Sequence, residues 1–282
     1  MTAERVYGPP LIGVLFNGIL FGVLVVQAHL YFNWDRSGER WTGYLVTVLL
    51  VLETINTGID FAMVYQGLFK NYGQLNLGIP FLAANPVITS SISTIVQIYY
   101  AWRIRILTKS NVLAGFILVL AWVSLASGIC GSVFTALHPG WDGFDRKIFS
   151  SLVAWLTTTA ICDIIIAIAM VFYLTTHKKD SMAVTKSVVN RIIILTIQTG
   201  VITSVAAVAS ILTFTLIKQA TIQFIWDFSI SKLYTNSLLS MLNAREEWSK
   251  TLDAQNDVEN ISDVSFVHLD GLADYSQEKS HP

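Results

Sequence analysis

Seven apolar stretches, each long enough to cross a bilayer, take up most of this 282-residue chain: residues 11–32, 41–66, 80–102, 111–137, 150–174, 192–217 and 222–243. A helix needs about 20 mainly apolar residues to span about 30 Å of hydrocarbon. Inside hydrocarbon every backbone N–H and C=O must be paired within the protein, which only helices and closed barrels achieve. A barrel would read as alternating segments of about 10 residues, whereas these runs are continuous and far longer. The expected fold class is therefore all-α, a seven-transmembrane-helix bundle. Only 13% of residues are charged, against about 25% in a soluble domain, as expected if the lipid bilayer is the main solvent.

The expected organisation is a short extracellular N-terminus (1–10), a transmembrane domain (11–245) and an acidic tail (246–282). The tail carries nine acidic residues from Glu246 to Glu278 against Lys250 and Lys279. It is too polar to form a core and reads as disordered. Its simplest role is a solubilising extension; docking or phosphorylation at Ser262, Ser265 and Ser276 is the functional alternative. No cleavable signal pattern is present, so the first helix is expected to be retained. Net charge is −1 with no basic block, which argues against nucleic acid as a partner. Cys130 and Cys162 both fall inside apolar runs and read as small core residues.

Loop charges set the orientation. The N-terminal side has five basic residues: Arg5, Lys70, Arg146, Lys147 and Lys218. The other side has nine: Arg36, Arg40, Arg103, Arg105, Lys109, Lys178, Lys179, Lys186 and Arg191, before the tail adds more. The N-terminus is therefore expected outside and the C-terminus in the cytoplasm, with the plasma membrane as the expected location.

Polar groups within the spans carry the functional information. A charge at the bilayer centre costs at least about 2.5–3.5 kcal/mol on insertion scales, so such groups usually face the bundle interior. Glu53, Asn56, Thr57 and Asp60 stand at offsets 0, 3, 4 and 7 in the second helix, on one face. Ser90, Ser93, Thr94 and Gln97 form a similar stripe in the third. The fifth helix carries Asp163 at mid-depth, and the sixth carries Thr196, Thr199 and Thr203. The seventh starts with Asp227, places Lys232 near its middle, and continues with Asn236, Ser240 and Asn243. Near mid-depth two carboxylates, Glu53 and Asp163, face one ammonium, Lys232. Direct pairing neutralises one of them; the other must be protonated, hydrated or matched by something bound. The expected polar site is thus Glu53, Asn56, Asp60, Gln97, Asp163, Asp227, Lys232 and Asn236. A structural polar core that only fixes helix packing is the competing reading.

Weaker features point to packing. Gly18 and Gly22 in the first helix, and Ser124, Gly128 and Ser132 in the fourth, read as small-residue contact faces. Pro86 should kink the third helix and free carbonyls in its outer half. Tyr99, Tyr100 and Trp102 read as an interfacial aromatic belt beside the basic anchors Arg103 and Arg105, which alternatively contact a cytoplasmic partner.

The segments Ala160-Ile161-Cys162-Asp163, Ser187-Val188-Val189-Asn190-Arg191, Gln198-Thr199-Gly200-Val201-Ile202-Thr203 and SKLYTNSLLSMLNAR (231–245) carry a resemblance. They resemble a family of seven-helix membrane proteins from mushroom-forming basidiomycete fungi, which bears a C-terminal domain of unknown function. That domain would cover about 160–247. Phe69 to Gly73 and Gln97 to Arg105 are similar more loosely. Gln198 stands where many such proteins have a glutamate, so an acidic role there lapses. The resemblance implies a fungal seven-helix protein and no reaction.

Three functions compete. A receptor-like sensor would bind a small molecule at the polar site and signal to a cytoplasmic partner; this is analogy at fold level. The chain has neither an Asp-Arg-Tyr end to the third helix nor an Asn-Pro-x-x-Tyr in the seventh. A proton-coupled transporter could use the mid-membrane carboxylates, though no internal repeat is visible. A retinal photoreceptor would use Lys232 with Asp227 or Asp163 as counterion, but the third helix lacks an acid. Catalysis is not expected: His29 alone of the histidines lies within a span, and neither a metal set nor a Ser-His-Asp arrangement is visible. No cofactor and no metal are called for. The orientation has a direct test. The one sequon, Asn260-Ile261-Ser262, lies in the tail, so glycosidase treatment should leave the native protein's mobility unchanged. A shift abolished by Asn260→Gln would place the tail outside.

Overall fold

The computed structural model describes residues 3–33, 40–70, 79–137, 146–177, 194, 200–210, 212–213 and 221–244. Among them all regular secondary structure is helical. The helices are α1 (Ala3–Asn33), α2 (Arg40–Tyr65), α3 (Ile79–Thr108), α4 (Asn111–Leu137), α5 (Arg146–His177), α6 (Gly200–Ser210) and α7 (224–244). A π-helical turn, Gln66–Lys70, continues α2.

Five helices, α1 to α5, are long and apolar enough to cross a membrane, which marks an integral membrane protein. The described part of α6 is a shorter apolar helix. Helix α7 is long enough but not as apolar, and burial explains it: of its residues only Trp226 is exposed. A helix surrounded by protein can carry serines, threonines and a lysine that a lipid-facing helix cannot. The outer helices are the converse. Leu15 and Ile19 of α1 and Val112 and Val119 of α4 are exposed, while the polar faces of α2 and α3 turn inward.

Contacts give the helix directions. Asn17 meets Asp60 while Tyr31 meets Thr42, so α1 and α2 are antiparallel. Asp60 meets Asn85 and Trp41 meets Trp102, so α2 and α3 are too. The same holds for α3 and α4, through Ser132 on Ala83 and Arg105 on Asn111. Ser124 with Thr159, and Ile117 with Cys162, reverse α5 against α4. Helix α7 runs parallel to α1: Phe224 packs at Gly13, Asn236 bonds Leu20, and Asn243 bonds Gln27.

Several local expectations need correction. Helix α1 begins at Ala3, ahead of the apolar run that starts at Leu11, with Pro9 and Pro10 inside it. The reading of Pro86 needs none: it sits inside α3, and one turn before it the Ala83 carbonyl accepts from the hydroxyl of Ser132 in α4, as a carbonyl freed by proline can. Gly18 and Gly22 have open space around them, so among the described residues they form no contact face. Gly13 is the close-packed glycine of α1: a Cβ there would stand 2.5 Å from the Phe224 carbonyl oxygen. Cys162 is buried but Cys130 is exposed, on the outer face of α4. Tyr99 and Tyr100 belong to the core rather than to an interfacial belt; Trp102 is half-buried and packs its ring edge-on against Trp41. Thr196, Gln198 and Thr199, the loop 178–193 and the tail 246–282 lie outside the described residues.

The face of Ser124, Gly128 and Ser132 does pack as expected. A Cβ on Gly128 would come within 2.6 Å of the Ser90 side chain, so only glycine lets α3 and α4 approach there. Gly128→Ala should destabilise the purified protein by about 1–3 kcal/mol through overpacking. Gly22→Ala, in open space, should be neutral or stabilising by up to about 1 kcal/mol. Thermal melts in one detergent compare them; equal effects would mean the α3–α4 contact is not tight.

Candidate functional site

Glu53 and Lys232 form the centre. Both side chains are fully buried, and Lys232 Nζ lies 2.9 Å from Glu53 Oε2. The hydroxyl of Thr235 donates to Oε1 at 2.6 Å, and that of Ser231 to Oε2 at 3.1 Å. Asn56 Nδ2 in turn donates to Ser231 Oγ at 3.1 Å. One turn of each of two helices produces this. Glu53 and Asn56 share one face of α2, and Ser231, Lys232 and Thr235 share one face of α7. The carboxylate thus receives an ammonium and two hydroxyls, which is what a buried charge needs to be tolerated.

One turn further along α2, Asp60 binds three helices together. Asn17 Nδ2 of α1 donates to its Oδ2 at 2.6 Å, and Asn85 Nδ2 of α3 donates to its Oδ1. Thr57 links the two nodes, lying 3.3 Å from Asn17 Oδ1 and donating to the Glu53 carbonyl at 2.8 Å. The second carboxylate of the Lys232 neighbourhood is therefore Asp60, not Asp163. The ammonium pairs with Glu53, and Asp60 on the same face of α2 is held by two amides.

Asp163 belongs to a separate node on the other side of α7. Tyr234 donates to its Oδ2 at 2.5 Å, and Gln97 Nε2 lies 3.3 Å from its Oδ1. Tyr100, Thr203 and Ser237 help line a cavity of about 30 Å³ against it, which is room for about one water. Asp227 stands apart again, accepting from Ser210 of α6 at 2.9 Å. A still smaller cavity there, about 10 Å³, is lined by Trp155 and Gln223. Asn236 lies on the seam between α7 and α1, its amide donating to the Leu20 carbonyl at 3.0 Å. Asn243 repeats that contact seven residues on, at Gln27. Arg103 reaches Met241 of α7, and exposed Arg105 donates to Asn111 at the start of α4.

The structure thus joins Glu53, Asn56 and Lys232, sets Asp60 beside them, and pairs Gln97 with Asp163. It leaves Asp227 and Asn236 elsewhere. Sequence reasoning overlooked Asn17, Asn85, Ser231, Tyr234 and Thr235. Asn17 had a signal, since an amide alone in an apolar helix needs a partner from another helix. Two amide oxygens within these nodes, Asn56 Oδ1 and Gln97 Oε1, have no partner among the described residues. No group of His, Cys, Asp and Glu able to hold a metal occurs among the described residues.

Residues 159–247 match a family of unknown function, DUF6534. The chain carries a DUF6534 domain. That segment holds Asp163, Asp227, Lys232 and Tyr234, whereas Glu53, Asp60 and Gln97 lie outside it, so every node but that of Asp227 is completed by helices preceding the DUF6534 domain. No curated protein matches the chain, and no solved structure does.

Removing one partner of a buried ion pair leaves the other charge uncompensated, at about 3–5 kcal/mol. Lys232→Met should therefore destabilise strongly, and Lys232→Met with Glu53→Gln should recover much of the loss. Adding Asp163→Asn to Lys232→Met should recover none. Thermal melts of the three variants read this directly, and rescue by Asp163→Asn would mean the lysine pairs across α7 instead.

Proposed function

We propose that this protein is a receptor-like seven-helix sensor of the plasma membrane, of fungal origin, whose interior polar nodes respond to a small-molecule ligand. The observation that carries the reading is the fully buried Glu53–Lys232 pair between α2 and α7. Such a pair is costly to bury and severe to break, so a ligand that competes for either partner would change how α7 sits. The seven-span reading draws on the helix directions: α1 to α5 alternate and α7 runs with α1, as an odd number of crossings requires. The uneven loop charges are what favour an outside N-terminus and a cytoplasmic tail. The ligand would meet Glu53, Asn56 and Lys232, or Gln97 and Asp163, where amide oxygens without partners among the described residues offer hydrogen-bond acceptors.

Arg103 and Arg105 would face the cytoplasmic partner. Arg103 touches Met241 near the end of α7, so a shift of α7 would be felt at that surface. A proton-coupled carrier is the second reading, favoured by one observation: Lys232 pairs with Glu53, while Asp60, on the same face of α2, is held by the amides of Asn17 and Asn85, and that further acid could carry a proton. The cavities at Asp163 and Asp227 are about 30 and 10 Å³, closer to sealed nodes than to a conduit. A retinal photoreceptor has less support, because Asp163 and Asp227 both lie away from Lys232. Catalysis is no part of the proposal.

Liposomes holding the purified protein and a pH-sensitive dye separate the first two readings. Under an imposed pH gradient the sensor should acidify the lumen no faster than empty liposomes. Acidification that is lost in Asp60→Asn would make the protein a carrier. For the sensor, a small-molecule library is screened by thermal shift, and hits should lose their effect in Asp163→Asn or Asn56→Leu.

A further inference from the structure

Two cavities open along the outer side of α5, and Phe172 lines both. One is an apolar groove of about 600 Å³ between α5 and α6, walled by Ile164, Ile168, Phe172, Val201 and Val205. The other, about 420 Å³, lies where α3 ends, against Thr108, Lys109, Tyr173 and Thr176. Along α5 the groove extends from Ile164 to Thr175, about 16 Å at the helical rise. Half the hydrocarbon core of a bilayer is about 15 Å. The groove therefore reaches from mid-bilayer to one interface, and the polar cavity sits at its interfacial end.

Lys109 supplies the charge there. It lies in the two-residue link between α3 and α4, with φ of 53°, in a left-handed conformation uncommon for a residue with a side chain. Its side chain is exposed, and among the described residues its ammonium has no partner. Thr108 and Thr176 line the same cavity, their hydroxyls donating to the Ile104 and Phe172 carbonyls and keeping lone pairs free to accept. This end of the bundle is also the one expected to face the cytoplasm, where anionic lipids are concentrated.

An apolar groove half a bilayer long, adjoining at Phe172 a cavity lined by a lysine and two threonines, matches one occupant in shape and charge. We infer that α5, α6 and the α3–α4 link form a site for one anionic phospholipid, with its phosphate on Lys109 and an acyl chain in the groove. The site stands independently of the receptor reading. It also has a consequence for the interior. Ala167 and Gly200 line both the groove and the cavity at Asp163, so the chain's end rests one residue layer from that node.

The test uses the full chain in nanodiscs with equal parts of dioleoyl phosphatidylserine and dioleoyl phosphatidylcholine. Native mass spectrometry after mild extraction counts the retained lipids. The protein should keep one phosphatidylserine in preference to phosphatidylcholine. Lys109→Gln should lower that preference roughly fivefold, in line with the effect of one lysine at an anionic surface, and Lys109→Arg should retain it. Val201→Trp, at an exposed lipid-side position, should fill the groove and reduce retention of both lipids; Val205→Trp serves if it does not express. Excess glycerophosphoserine, the headgroup without chains, should displace nothing. An unchanged preference in Lys109→Gln, undiminished retention in the tryptophan variants, or displacement by the free headgroup would each overturn the site.

Discussion

A lysine and a glutamate with no exposed side-chain surface have to find each other, and in this bundle that requirement sets where α7 goes. In lipid, neither Glu53 nor Lys232 could be neutralised by water, and neither can snorkel from mid-helix to an interface. Their pairing pins the middle of α7 to the middle of α2. The hydroxyls of Ser231 and Thr235 complete the carboxylate's shell from the same helix, so the contact has one register: sliding α7 by a turn would leave three donors without an acceptor. Once α7 is fixed there, the remaining helices close around it, and its almost complete burial follows.

The other polar contacts then act as clasps on the same central helix. Asn236 and Asn243 join it to α1, Tyr234 to α5, and Asp227 to α6. Hydrogen bonds between membrane helices contribute about 0.6 kcal/mol on average, so these clasps specify direction and register more than they add strength. Close packing supplies the complement on the far side of the bundle. Gly128 lets α4 press onto α3 at Ser90, and apolar side chains cover the outward faces. The division resembles that of a soluble protein turned inside out only in part. The outward faces are apolar, and buried polarity is gathered in a few nodes, those around α7 and that of Asp60 between α1, α2 and α3.

The faces of α2 and α3 were legible because helical spacing fixes which residues point together: 53, 56, 57 and 60 on one, 90, 93, 94 and 97 on the other. Periodicity says which side a residue faces and nothing about which helix lies opposite. Two mid-depth acids on different helices were equally good partners for Lys232, and only the packing order chooses Glu53. The same ignorance hid Asn17 and Asn85, whose partner is an acid on a third helix. Small-residue spacing misled for a related reason. Gly18 and Gly22 have the same four-residue separation as Gly128 and Ser132, but the contact depends on whether another helix arrives. Helix α7 is the instructive case for hydropathy: its polar content, which lowers it below the other spans, is the mark of its burial.

The nodes are coupled by geometry that the sequence does contain. Lys232 and Tyr234 are two residues apart, so at about 100° per residue they point to nearly opposite sides of α7. Asp227 and Tyr234, seven apart, share a face. One rigid helix therefore carries the ammonium that satisfies Glu53 on one side and the hydroxyl that satisfies Asp163 on the other. Rotating α7 to relieve one node strains the other, because each clasp is short and each acid is buried. A device of this kind has few stable positions, not a continuum. It also explains how a perturbation at α5, whether at Asp163 itself or from the groove beyond Ala167 and Gly200, could reach Glu53 on α2 without any direct contact between the two acids.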